Sequence, residues 1–204
     1  MEQYKVLRVV GLDISIGATG YCIMDGEKGL KDCGVVKTQP KNFASDMERF
    51  DQISMEIFSK IGDHGQDAVF IENYAYAARG HTARIAELTG IIKHDLYCTF
   101  GLKPGEQVFV VAPGTLKKYV LGSGVGDKNL VLKYIWKKWG VDIDDDNAGD
   151  AYVLARLGVD FLNYTKNDGF TCQHKYEEEC VKAIAKQNGV KLGRRKKSEP
   201  RRNN

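Results

Sequence analysis

Short apolar runs broken by glycines and acids fill the first forty positions, and a helical spacing takes over after residue 45. Residues 4–14 (YKVLRVVGLDI), 21–25 (YCIMD) and 29–38 (GLKDCGVVKT) predict three strands in a hairpin meander. Ser45 and Glu48 then match a capping box, and Met47, Phe50, Ile53, Ile57, Phe58 and Ile61 predict one buried helix face. AVFIE at 68–72 reads as a buried strand, and Ile85, Leu88, Ile92 and Leu96 mark a second amphipathic helix. QVFVVAP (107–113) is a further strand, stopped by Pro113 and Gly114. Helical matter at 115–121 leads into the glycine-rich GSGVGDK, a helix from about Asp127 to Trp139 and another from about Asn147 to Leu162. In the first of these, Tyr134, Ile135, Trp136 and Trp139 read as core. Three strands followed by alternating helix and strand imply an α/β fold with a mixed sheet.

At 204 residues the chain fits one domain with a proper core, and its hydrophobic fraction of 43% is that of an ordinary globular protein. No apolar run reaches the ~18 residues of a membrane span, and no signal peptide is visible, so a soluble cytoplasmic protein is expected. The net charge of +3 is uneven: positions 190–204 hold seven Lys/Arg against one Glu, which leaves 23 basic and 26 acidic residues in 1–189. A domain over 1–165 is therefore expected, followed by a C-terminal extension, 166–204, that ends in a basic disordered tail. That tail serves either as a phosphate-seeking arm or only for solubility. Five cysteines with no CxxC pair suggest reduced thiols, and Cys172, His174 and Cys180 lack a fourth zinc ligand at familiar spacing.

Three acids carry the candidate chemistry. Asp13 and Glu72 end separate strands, and Asp150 lies in DIDDDNAGDA at the start of the last long helix. Strands entering side by side can bring the first two together, and a helix packed on that edge can add the third. Like charges so placed repel unless a cation sits between them, and an all-oxygen set favours Mg²⁺ or Mn²⁺. Each acid also has a plainer role: Asp13 accepting from the turn at Ser15 to Gly17, Glu72 pairing with a base, Asp150 as the third residue after an Asn147 cap.

GSGVGDK is not a phosphate loop of the Walker type, since no Ser or Thr follows its lysine. Gly122, Gly124 and Gly126 instead suggest a mobile loop, and the flanking Lys117, Lys118 and Lys128 could meet a phosphate backbone. Tyr74 and Tyr76, beside Arg79 and His81, could stack on unpaired bases, or could simply be core or interface residues.

With these residues in place, the sequence over about 6–160 resembles the RuvC family of Holliday junction resolvases, in the ribonuclease H-like superfamily, especially its phage-encoded members. VVGLDISIGATGY is similar to the family's opening strand with its catalytic Asp, here Asp13, and FIENY to the second motif, whose Glu is here Glu72. APGTLKKYVLGSGVGDKNLVLKYI resembles the segment from the fifth strand through the DNA-binding loop, with Lys117 and Lys128 on its basic positions. NAGDAYVLA resembles the last motif and places Asp150 on the terminal acid. Three residues before that acid the family often has Asp or His; here Asn147 stands there with Asp146 beside it, and either could supply the further ligand. The family's aromatic three residues after the Glu is Ala75 here, which leaves that role to Tyr74 or Tyr76.

The resemblance implies a ribonuclease H-like, mixed five-stranded sheet flanked by helices. It further implies a homodimer that resolves four-way and related branched DNA by paired, metal-dependent nicks, with two Mg²⁺ or Mn²⁺ ions per site. The ion ligands would be Asp13, Glu72 and Asp150 with Asn147 or Asp146, and the DNA contacts Lys117, Lys118, Lys128, Tyr74, Tyr76 and Arg79; Gly90 and the helix at 82–98 resemble the interface region. The alternatives are a ribonuclease H acting on RNA–DNA hybrids and a non-cleaving DNA-binding scaffold. A sugar or acetate kinase of the actin-like class would need a second such domain, for which 204 residues leave no room.

Overall fold

The computed structural model describes residues 7–26, 29–62, 65–73, 82–124, 128–166 and 170–193. Five strands, β1 (Arg8–Asp13), β2 (Ala18–Asp25), β3 (Gly29–Lys37), β4 (Ala68–Glu72) and β5 (Val108–Val111), form one mixed sheet in the order β3-β2-β1-β4-β5. The hairpins β1–β2 and β2–β3 are antiparallel, whereas β4 and β5 add in parallel on the other side of β1. That parallel half is possible because α1 (Asp46–Ile61) and α2 (Thr82–Phe100) supply the crossovers.

Strand alternation divides the core between the two faces. Val10, Leu12, Tyr21, Ile23, Val69 and Ile71 pack on the side of α1 and α2. Val9, Cys22, Met24, Phe70 and Phe109 pack on the side of α3 (Pro113–Leu121), α4 (Lys128–Trp139), α5 (Asp146–Lys166) and α6 (Lys175–Gln187). The α5 helix lies across β1 and β2 and is the most buried of the six, with Tyr152, Leu154, Leu157 and Phe161 all inside.

Helix α1 starts where the capping box places it. Ser45 Oγ accepts from the Glu48 N–H, but Glu48 reaches back to the Ala44 N–H rather than to Ser45 itself. Phe50, Ile53, Ile57 and Ile61 are buried, while Met47, expected on the same face, is 62% exposed because it lies in the first turn, next to a groove against α2. The aromatic stripe of α4 also divides. Ile135 and Trp139, four residues apart, turn inward, and Trp136, about 100° round the helix from Ile135, is 59% exposed.

The α6 helix buries Cys180, Val181, Ile184 and Ala185 and packs chiefly on α3 and β5. Just past its end, Asn188 accepts from the Val110 N–H (2.8 Å) and donates to the Val110 carbonyl (2.9 Å). One side-chain amide thus occupies both main-chain groups on the outer edge of β5, where an open edge would invite another strand. Among the described residues, no helix is long and apolar enough to cross a membrane.

Candidate active site

Asp13 ends β1 and Glu72 ends β4, and these strands are parallel neighbours with Leu12 paired to Ile71. Both acids alternate onto the face of Val9 and Phe70, the face that α5 covers. The sequence makes that cover unusually close. A Cβ at Gly11 would lie 2.1 Å from the Ala151 carbonyl oxygen, and one at Gly20 would lie 2.0 Å from that of Asn147. Gly20 is also the cross-strand partner of Asp13. Helix backbone therefore rests on sheet backbone at the two positions flanking the strand end, and Asp150, three residues after Asn147, is brought to the carboxylates below. Of the glycines in the opening segment, Gly11 and Gly20 serve this contact, and Gly17 has open space around it.

Asp13, Glu72 and Asp150 each offer a carboxylate oxygen within 4.8 Å of the other two. They are the one group of three or more His, Cys, Asp or Glu with such spacing among the described residues. Three like charges at this separation repel strongly, and a shared cation relieves the repulsion. The donor set suits a hard divalent ion, whose oxygen ligands at about 2.0–2.6 Å lie up to about 4–5 Å apart.

The plainer reading of Asp150 fails. Asn147 is not the cap of α5: Asp145 Oδ1 accepts from the N–H groups of Asn147 (3.0 Å) and Ala148 (3.4 Å), so Asp150 lies a full turn inside the helix. In the turn after β1 the Ser15 N–H goes to Thr19 Oγ1, and the Thr19 hydroxyl donates to the Ser15 carbonyl. Of the two expected additional ligands, Asn147 directs its amide N–H groups to Asp145 Oδ1 (3.2 Å) and Asp146 Oδ1 (3.4 Å), and Asp146 falls outside the close carboxylate group.

Arg49 was not legible as a site residue. It is 4% exposed on the apolar face of α1 and donates to the Ile16 carbonyl (2.8 Å), the Thr38 carbonyl (3.0 Å) and Thr38 Oγ1 (2.9 Å). Thr38 in turn donates through its hydroxyl to Ile16 O and through its N–H to Gly17 O. The loop that follows Asp13 is thereby tied to the end of β3 and to α1.

Of the expected DNA contacts, Lys117 lies half-buried on α3 and Lys128 opens α4. Lys118 is engaged within the chain, 2.7 Å from Glu179 of α6; this bond raises the lysine pKa and lowers that of the glutamate. Gly122 closes α3 in the left-handed region (φ 73°), whereas Gly124 has no positive φ and Gly126 lies outside the described residues. Tyr74, Tyr76, Arg79 and His81 also lie outside them. Cys180 donates to the Thr115 carbonyl and His174 stacks on Tyr176.

A mixed sheet with three carboxylates at the ends of its first and fourth strands and on the covering helix has the ribonuclease H-like fold. No protein-family model matches the chain. Curated sequences do: the crossover junction endodeoxyribonucleases RuvC of Prochlorococcus marinus strains NATL1A and NATL2A are 27% and 28% identical over 158 residues, 75% of this chain and 98% of each relative. The solved structure of Thermus thermophilus RuvC superposes with a TM-score of 0.60 at 21% identity, covering 75% of this chain and 98% of that one. The same protein in complex with a Holliday junction substrate gives 0.61 at 18% identity, covering 90% and 97%. In sequence over three quarters of its length, and in fold, the chain is thus similar to RuvC proteins.

Proposed function

We propose that this protein is a structure-selective endodeoxyribonuclease that resolves four-way and related branched DNA by metal-dependent paired nicking. The observation that carries the reading is the convergence of Asp13, Glu72 and Asp150 on the fold of RuvC. Two divalent cations, Mg²⁺ or Mn²⁺, would be held there by these carboxylates and would supply water activation and charge stabilisation for phosphodiester hydrolysis. Asp13, at the end of the central strand, would be the shared ligand, and Glu72 and Asp150 would each hold one ion. Asn147 is the candidate for a further ligand if its amide turns from Asp145, and Asp146 is the alternative.

The protein's own residues position this chemistry. Gly11 and Gly20 set the height of α5, Arg49 fixes the turn after Asp13, and the Asp145 cap holds the helix start. Lys117 and Lys128 neutralise phosphates beside the α3–α4 loop, Lys118 joins them when released by Glu179, and Tyr74, Tyr76 and Arg79 are assigned to the branch point. The body of the chain is acidic, so affinity depends on this local basic face and on the basic tail rather than on total charge. Paired nicks require two sites, and a homodimer is assigned to the α1–α2 face, where Met47, Gly90, Ile91 and His94 line an apolar groove of about 430 Å³.

The test is a labelled synthetic four-way junction incubated with purified protein and Mg²⁺ or EDTA, beside linear duplex and RNA–DNA hybrid. Paired, Mg²⁺-dependent nicks at the branch are expected. Cleavage of the hybrid alone would assign a ribonuclease H, and binding without cleavage under any metal would assign a scaffold.

A further inference from the structure

Cys22 and Cys33 face one another across β2 and β3 as direct register partners. Both lie on the α5 side of the sheet: Cys22 is fully buried, and Cys33, half-buried, lines an open cleft of about 760 Å³ between β3 and residues 142–148. Directly opposed residues of an antiparallel pair have Cβ atoms about 4.5–5.5 Å apart, and a disulfide needs about 3.5–4.5 Å, so closing the bond asks for roughly 1 Å of strand movement. Both are free thiols, and Cys33 Sγ donates to the Ala148 carbonyl at 3.4 Å.

We propose that Cys22 and Cys33 form a dithiol–disulfide couple, an oxidation site whose closure disturbs the start of α5 and with it the Asp150 carboxylate. The oxidant is a hydroperoxide entering by the cleft. Cys33 sulfur attacks the peroxide, the O–O bond breaks and one water leaves, giving a sulfenic acid; Cys22 sulfur then attacks that sulfur and expels the second water. Two thiols lose two electrons and two protons, and one hydrogen peroxide becomes two waters. Burial holds the Cys22 thiol well above its ordinary pKa, and the nearby Cys33 adds to this, so Cys33 is the first to react and Cys22 the resolving partner.

The link reaches the site through β3. Closure draws this strand toward β2 and removes the proton that Cys33 donates to Ala148. Four residues along β3, Lys37 pairs with Asp145 at 3.2 Å, and Asp145 caps α5. The outer strand therefore holds the helix start at two points, and both move with it.

The experiment uses full-length protein with Cys98→Ser, which removes the exposed competing thiol. Protein treated with hydrogen peroxide is mapped by mass spectrometry and assayed on a junction before and after dithiothreitol. A mass loss of about 2 Da, a peptide linking 22 to 33, and cleavage reduced at least about 5-fold and restored by reductant are expected, with none of this in the Cys33→Ser variant. Separate alkylation of the two cysteines, or sulfinic acid on Cys33 without a link, would overturn the couple; a mapped link with unchanged cleavage would overturn its coupling to Asp150. The coupling alone rests on the nuclease reading: if reduced protein cuts no junction that reading fails, and the peptide map still decides the couple.

Discussion

The carbonyl oxygen of Asn147 occupies the space that a Cβ at Gly20 would need, 2.0 Å from its ideal position. Because the obstructing atom is main chain in a helix, a neighbouring side chain cannot yield to make room. Gly20→Ala should lift the start of α5, cost about 1–3 kcal/mol as an overpacked contact does, and lower junction cleavage further than the stability loss explains. Gly17→Ala, with nothing within 4 Å, should change neither. Urea denaturation alongside cleavage rates for the two variants separates them; equal behaviour would remove the argument that this contact sets the height of Asp150.

Arg49→Met keeps the buried aliphatic stem and removes the donors, leaving the Thr38 carbonyl without the guanidinium and the Ile16 carbonyl with the Thr38 hydroxyl alone. A loss of roughly 2–4 kcal/mol is expected, partly recovered in Arg49→Lys, which restores one charged donor group. Chemical denaturation measures it, and a loss below about 0.5 kcal/mol would show that the loop after Asp13 is held by other contacts.

Much of this architecture was legible because local pattern and global fold agree. AVFIE is β4 from end to end, and the apolar face from Phe50 to Ile61 is the buried side of α1. The acids at two strand ends and one helix start were equally visible, since a carboxylate closing an apolar run calls for a partner. What stayed hidden depends on contacts distant in sequence. Arg49 finds its acceptor at Ile16, 33 positions away. The Asp145 cap was obscured by the run of acids around it, any of which could begin a helix. Nothing local to Lys118 announces Glu179, 61 positions on.

That ion pair gives a prediction for binding. Glu179→Ala should release Lys118 toward phosphate, tightening junction binding at low salt and steepening the dependence of log K on log salt by about 0.9 for the contact regained. Adding Lys118→Ala should cancel the gain. Titrations at several salt concentrations read the slope directly, and an unchanged slope in Glu179→Ala would place Lys118 away from the DNA path.

Cys180 provides a pH handle on the packing of α6. Burial pushes its thiol up to about 11, with Lys118 opposing, so the folded state keeps its proton where the unfolded chain loses it. Its contribution is therefore complete below the ordinary thiol range and is lost as pH rises toward 11, by at most about 3 kcal/mol. Cys180→Ala should flatten the fall in stability between pH 8.5 and 10.5 compared with the wild type. Parallel slopes in urea denaturation would mean that the thiol meets solvent before it ionises.

Asp13→Asn tests the division of labour at the centre of the site. The substitution preserves size and removes one of three like charges, so the fold should hold or gain slightly from the relieved repulsion. The protein also loses the oxygen assigned as shared cation ligand, and cleavage should fall by at least roughly 10²–10³-fold, the scale on which an electrostatic group at a reaction centre acts. Junction affinity in EDTA should stay the same or tighten, because a negative charge beside the phosphate path has gone. Thermal stabilisation by Mn²⁺, measured without DNA, should shrink with cleavage. A variant that folds, cuts normally and keeps its Mn²⁺ response would place the chemistry elsewhere; one that folds but loses junction binding in EDTA would make Asp13 a determinant of the DNA surface instead.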